Sequence, residues 1–107
     1  QVDLIVEGII GIESDAVPPV YLPQATSIGD LYAYCRTAPV GGNITAVVKV
    51  ADSAIGTVII NNGQTFPANS VDGKDLPAIQ PSQPITLDIT GVGLTYPGER
   101  LVVTIRM

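Results

Sequence analysis

The chain has 107 residues, 46% apolar and only 14% charged, with 11 glycines, 9 prolines and a formal net charge of −5. That length allows one domain around one core, and the glycine and proline content suits short strands joined by tight turns better than long helices with salt-bridged faces. The acidic balance works against a polyanionic partner, and the five cations (Arg36, Lys49, Lys74, Arg100 and Arg106) form no basic cluster interleaved with aromatics. Nucleic acid is therefore not an expected partner.

The first segment, "VDLIVEGIIGIE", is apolar but interrupted by Gly8 and Gly11. It reads as two short strands or one bent strand. Residues 1–13 also suit an extended attachment segment, because such a strand can add to an exposed sheet edge. No signal-peptide pattern opens the chain and no apolar run approaches about 18 residues. The expectation is a soluble chain with no membrane partner; a start at Gln rather than Met fits a processed or trimmed fragment. "AVPPVYLPQ" follows, with prolines at 18, 19 and 23 that remove ladder donors around Tyr21. It reads as an edge or a loop.

"IGDLYAYCRT" places Leu31, Ala33 and Cys35 on one face and Asp30, Tyr32, Tyr34 and Arg36 on the other. Such alternation predicts a half-buried strand with an aromatic outer face. "APVGG" supplies a turn, and "NITAVVKVAD" alternates again, with Ile44, Ala46, Val48 and Val50 opposite Thr45, Val47 and Lys49. Asn62-Gly63 in "AIGTVIINNGQTF" lies between β-forming residues and predicts a tight hairpin. From Pro67 to Pro84 there is no sustained period, so the stretch reads as a long surface connection touching the core through Leu76 and Ile79. "ITLDIT" and "RLVVTIR" then direct Ile85, Leu87 and Ile89, and Leu101, Val103 and Ile105, inward. The glycines at 91, 93 and 98 predict a wide hairpin between them. Together these strands predict an all-β fold, an antiparallel β-sandwich of about eight strands, with a small barrel as the rival.

Chemistry is sparse. A phosphate-binding glycine loop needs a helix after its strand, and here a strand follows Gly91, Gly93 and Gly98. Histidine is absent, so neither a serine nor Cys35 has that base, and Cys35 lies in the apolar phase of its strand, as a small core residue would. Glu13 with Asp15, and Asp72 with Asp75, are the nearest acid pairs, but "DGKD" lacks the alternating ligands of a calcium loop. No catalytic residue, metal ligand or cofactor is expected. Exposed tyrosines remain. Tyr21, Tyr32, Tyr34 and Tyr96 are the candidate interface residues, since a rigid ring with a polar tip serves both protein and sugar contacts; for Tyr32 and Tyr34 the alternative is packing under a loop or a second sheet.

"RTAPVGGNITAVVKVADSAIGTVIINNGQT" followed by "ITLDITGVGLTYPGERLVVTIR" resembles a domain type of tailed-bacteriophage structural proteins, over Ser27 to Met107. The "TAPVGGNI" and "GVGLTYPGERLVV" turns carry the likeness, and the proline-rich stretch Val71–Pro84 departs from it. The resemblance implies a jelly-roll-like sandwich without enzymatic activity, a virion protein assembled in the host cytoplasm. Its implied place is head decoration or a head fibre, with a tail or baseplate module that binds a receptor or glycan as the alternative. The implied partners are other virion proteins, a homotrimer of the chain itself and a host surface glycan.

Overall fold

The computed structural model describes residues 2–66, 71–72 and 78–106, the pair 71–72 by backbone alone. Leu76, Asp75 and Lys74, and the side chain of Asp72, lie outside the described residues. Seven strands are present among those described: β1 (Val2–Ile9), β2 (Asp30–Thr37), β3 (Ile44–Val50), β4 (Ser53–Ile60), β5 (Val71–Asp72), β6 (Ile85–Gly91) and β7 (Glu99–Arg106). They form two antiparallel sheets in the orders β1-β7-β2-β5 and β4-β3-β6. The protein is all-β, and the arrangement is consistent with a β-sandwich. Among the described residues no strand is shared between the sheets, unlike in the closed barrel considered above.

The inward residues are those the alternation assigns. Leu31, Ala33 and Cys35 from β2, Ile44, Ala46, Val48 and Val50 from β3, Ile85, Leu87 and Ile89 from β6, and Leu101, Val103 and Ile105 from β7 join Leu4 and Ile79 in one core. Each fully buried aliphatic side chain contributes about 1.5–3 kcal/mol, so the shared core is what holds the sheets together. β1 is a single bent strand whose register against β7 shifts between Val6 and Ile9, where Gly8 has φ 72°. The extra residue is what a bulge requires. Residues 2–9 of the expected attachment segment are thus an edge strand of the sheet, anchored by the buried Leu4.

Two expected hairpins are corrected. Asn62-Gly63 does form a turn, with Gln64 N donating to Asn61 O at 3.0 Å and Gly63 at φ 78°, but the chain then leaves its sheet, and Thr65 O accepts from Cys35 N of β2 at 3.0 Å. The tight hairpin lies instead between β3 and β4, where Ala51 and Asp52 (φ 51° and 66°) connect the Val50–Ser53 pair. Residues 91–98 likewise join β6 to β7 across the two sheets, because β6 pairs with β3 while β7 pairs with β1 and β2. In each case the turn residues are right and the destination of the chain is different.

The proline segment bends at Ser14, Asp15 and Val17 but is fastened to the outer edge of β6. Glu13 and Ile89, then Val20 and Ile85, exchange backbone hydrogen bonds, and Ala16 N donates to Leu87 O at 2.7 Å. Lys49 reinforces this edge from β3, its ammonium 3.0 Å from Asp15 and 3.1 Å from Asp88. The pairings therefore nest: β1 with β7, segment 13–20 with β6, β2 with β5, and β3 with β4.

Candidate functional site

β7 is central in its sheet, and the outer face around it is built in cross-strand rows. Asp3, Thr104 and Tyr32 stand side by side, as do Ile5, Val102 and Tyr34. Because the flanking side chains cover it, Val102 and Thr104 are buried although they point away from the core. Thr104 Oγ1 donates to Asp3 Oδ1 at 2.9 Å. Beyond Tyr32, Arg106 forms a two-point ion pair with Asp30, its Nε donating to Oδ1 at 2.7 Å, and its guanidinium lies 5.4 Å from the centre of the Tyr32 ring. The guanidinium holds the Asp30 carboxyl below the usual carboxylate range, as an opposite charge in hydrogen-bond contact does.

At the other end of this face, Tyr34, Arg36, Arg100 and Val102 line a depression of about 180 Å³. Tyr34 is exposed at its wall and Val102 forms an apolar floor. Alternation along the sequence gives the outward phase of Tyr32, Tyr34 and Arg36, whereas the register of β2 against β7, which brings Arg100 beside them, has no local signature.

Tyr96 belongs elsewhere. It bridges to Val40, and its hydroxyl donates to Glu99, which raises the phenol's pKa and lowers that of the carboxylate. Three connections meet at this end of the molecule: residues 91–98 through the Val40–Tyr96 bridge, and the turn at Asn62 onto the β2–β3 connection, where Gly41 N donates to Asn62 Oδ1 at 3.1 Å, Asn62 N to Asn43 Oδ1 at 2.8 Å, and Gly63 N to Pro39 O at 2.8 Å. Val40 and Leu94 are exposed here, and Ile9 and Ile12, also exposed, lie near Gly98 and Ile89. Tyr21 is exposed too, but it follows Val20, the partner of Ile85, at the opposite end of β6 from Gly91. The four tyrosines therefore do not form one interface: Tyr32 and Tyr34 share a sheet face, while Tyr96 and Tyr21 lie toward opposite ends.

The remaining candidates have structural partners. Asp15 joins Lys49 and Asp88, while Glu13 is exposed and tied through its backbone. Among the described residues no group of three or more potential ligand side chains could hold a metal ion. Cys35 is buried with its thiol 3.8 Å from Gln64 O, and burial pushes its pKa up, away from the reactive thiolate. No helix among the described residues is long and apolar enough to cross a membrane.

Comparison with known proteins returns no matching family model, no matching curated protein and no matching solved structure.

Proposed function

We propose that the chain is a non-enzymatic structural protein of a tailed-phage particle, a jelly-roll domain decorating the head or forming part of a head fibre. The nested strand pairing carries this reading. A jelly roll arises when a long hairpin is rolled into two sheets, and it recurs in viral capsid and lectin domains. With the proline-broken segment 13–20 counted as a degenerate strand beside β6, eight strands pair first with last and so inward. The two turns on which the phage resemblance rests also meet in space, through Val40 and Tyr96.

The attachment surface in this reading is the loop end. Ile9, Ile12, Val40 and Leu94 are exposed there, with Leu94 at 89%, and apolar side chains gathered at one end suit a neighbouring virion protein or the other subunits of a homotrimer. Mass spectrometry of purified particles with immunogold labelling tests the assignment. Head labelling is the expected result; absence of the protein from particles would overturn the reading. Light scattering at high micromolar concentration tests the trimer. A second reading, a tail-associated module that binds a receptor or glycan, is favoured by the exposed Tyr34 beside its depression, and labelling confined to the tail tip would select it.

A further inference from the structure

Arg36 falls between the paired positions Cys35↔Leu101 and Thr37↔Glu99, so it stands opposite Arg100 across β2 and β7. Two like charges directly opposite one another on a sheet destabilise it. Arg100 is also held at φ 49°, in the left-handed region that a long side chain rarely adopts. Backbone outliers of this kind cluster at ligand sites. The only carboxylate in ion-pair reach among the described residues is Glu7, whose Oε1 lies 3.8 Å from Arg100 Nε with both side chains largely in solvent. Arg36 has no carboxylate within that distance among them; Glu99, held by Thr37 and Tyr96, acts on it only through space. Two guanidinium groups thus flank a concavity with an apolar floor at Val102 and an aromatic wall at Tyr34.

We propose that this depression binds one carboxylated sugar residue of an otherwise neutral glycan. The carboxylate lies between Arg36 and Arg100 and relieves their repulsion, a guanidinium being suited to two-point recognition of a carboxylate. The ring packs its C–H face on Tyr34 above Val102, and the depression of about 180 Å³ holds a single sugar ring. A polyanionic chain is disfavoured, because the net charge is −5 and Asp3, Glu7 and Asp30 share this sheet face. Glu7 competes for Arg100 as a weak internal stand-in for the ligand. The proposal rests on the second reading above for its ligand class and not on membership of a particle, which labelling tests separately.

The test is an NMR titration of the full chain with methyl glucuronide, methyl glucoside and acetate at low salt. The glucuronide should shift the Tyr34 ring and Val102 methyl signals saturably, with the glucoside at least about tenfold weaker, the factor that roughly 1.4 kcal/mol of charge-assisted hydrogen bonding provides. Arg36→Gln and Arg100→Gln should each weaken the glucuronide by a similar factor, while Glu7→Gln should tighten it. Tyr34→Ala should weaken the glucuronide and leave acetate unchanged. All these side chains are surface-exposed, and a thermal melt of each variant confirms that it folds. Equal affinity for glucuronide and glucoside, acetate bound as tightly as the glucuronide, or shifts confined to other residues would each overturn the proposal.

Discussion

Val40 and Tyr96 exchange two backbone hydrogen bonds, 2.9 Å from Val40 N to Tyr96 O and 3.1 Å in return, and so lock the β2–β3 turn onto the β6–β7 crossing. Gly93 sits inside this lock. A Cβ there would lie 2.1 Å from Tyr96 O and 2.7 Å from both Val40 N and Val40 O, all of them backbone atoms that cannot rotate away. Gly93→Ala is therefore expected to cost about 3 kcal/mol or more. Gly63→Ala meets open space and bears only the positive-φ penalty, about 1 kcal/mol. Paired urea melts check the ranking, and equal losses would mean that the two loops are not locked.

Ala51 and Asp52 form a two-residue connection although Ala51 is not a residue such a turn prefers. Both have positive φ, the geometry for which Asn-Gly is favoured. Replacing Ala51→Asn together with Asp52→Gly should stabilise the protein by about 1 kcal/mol, because the left-handed conformation then costs less. A higher thermal midpoint is the expected readout. A lowered midpoint would count against the assigned turn.

Much of the core was legible because period-2 alternation reports which side of a strand is buried. It does not report which strand lies alongside. Asn62-Gly63 and the glycines at 91, 93 and 98 mark real turns, yet the same residues serve a chain that folds back within a sheet and one that crosses to the other sheet. Ala51-Asp52 was missed for the opposite reason, since alanine carries no turn signal. The outward phase of Tyr34 and Arg36 followed from alternation, but the opposition of Arg36 and Arg100 depends on the β2–β7 register, a long-range property fixed by the buried rows on either side.

Thr86 lies on β6 between the inward Ile85 and Leu87, and its Oγ1 is buried without a hydrogen-bond partner among the described residues. A desolvated hydroxyl with no acceptor costs about 1–3 kcal/mol, and an apolar group of the same shape removes the penalty. Thr86→Val keeps the β-branched shape. It should leave stability unchanged or raise it by about 1 kcal/mol, measured by denaturant melts; a clear loss would show that the hydroxyl has a partner such as an ordered water.

Asp88 and Lys49 give the stability a defined pH window. The Asp15 backbone N–H, donating at 2.8 Å, and then Lys49 hold the Asp88 carboxyl below its ordinary value. Its contribution is present above the unfolded-state value of about 3.9 and is lost as pH falls through the lower folded value. Lys49 is shifted upward, by its hydrogen bonds to Asp15 and then Asp88, so its contribution is complete below about 10.4 and is lost as pH rises through the higher folded value. The thermal midpoint should be flat through neutrality and fall on the acid side. Asp88→Asn should reduce the difference between midpoints at acid and neutral pH; an undiminished difference would assign the acid limb to other carboxylates, including Asp30.

The strand β1 decides whether the first residues are an arm or part of the fold. Its register runs from Val2↔Ile105 to Val6↔Leu101 before the bulge, and Leu4 is buried between the sheets at 1% exposure. An arm that served only attachment could be removed without affecting the melt. Removing residues 1–7 takes away the main-chain partner of one edge of β7, uncovers Val102 and Thr104 on the outer face, and leaves a cavity where Leu4 packed. Leu4→Ala alone should cost about 2–5 kcal/mol, the usual range for a buried leucine that leaves a partly collapsed cavity. The truncation should cost more, with loss of cooperative unfolding in calorimetry. Ile5→Ala is the control: Ile5 lies on the same strand but is 42% exposed, so its loss should stay near or below about 1 kcal/mol. If Leu4→Ala and Ile5→Ala melt alike, or the truncated chain melts as the intact one does, β1 is dispensable for folding and residues 1–7 act as an arm.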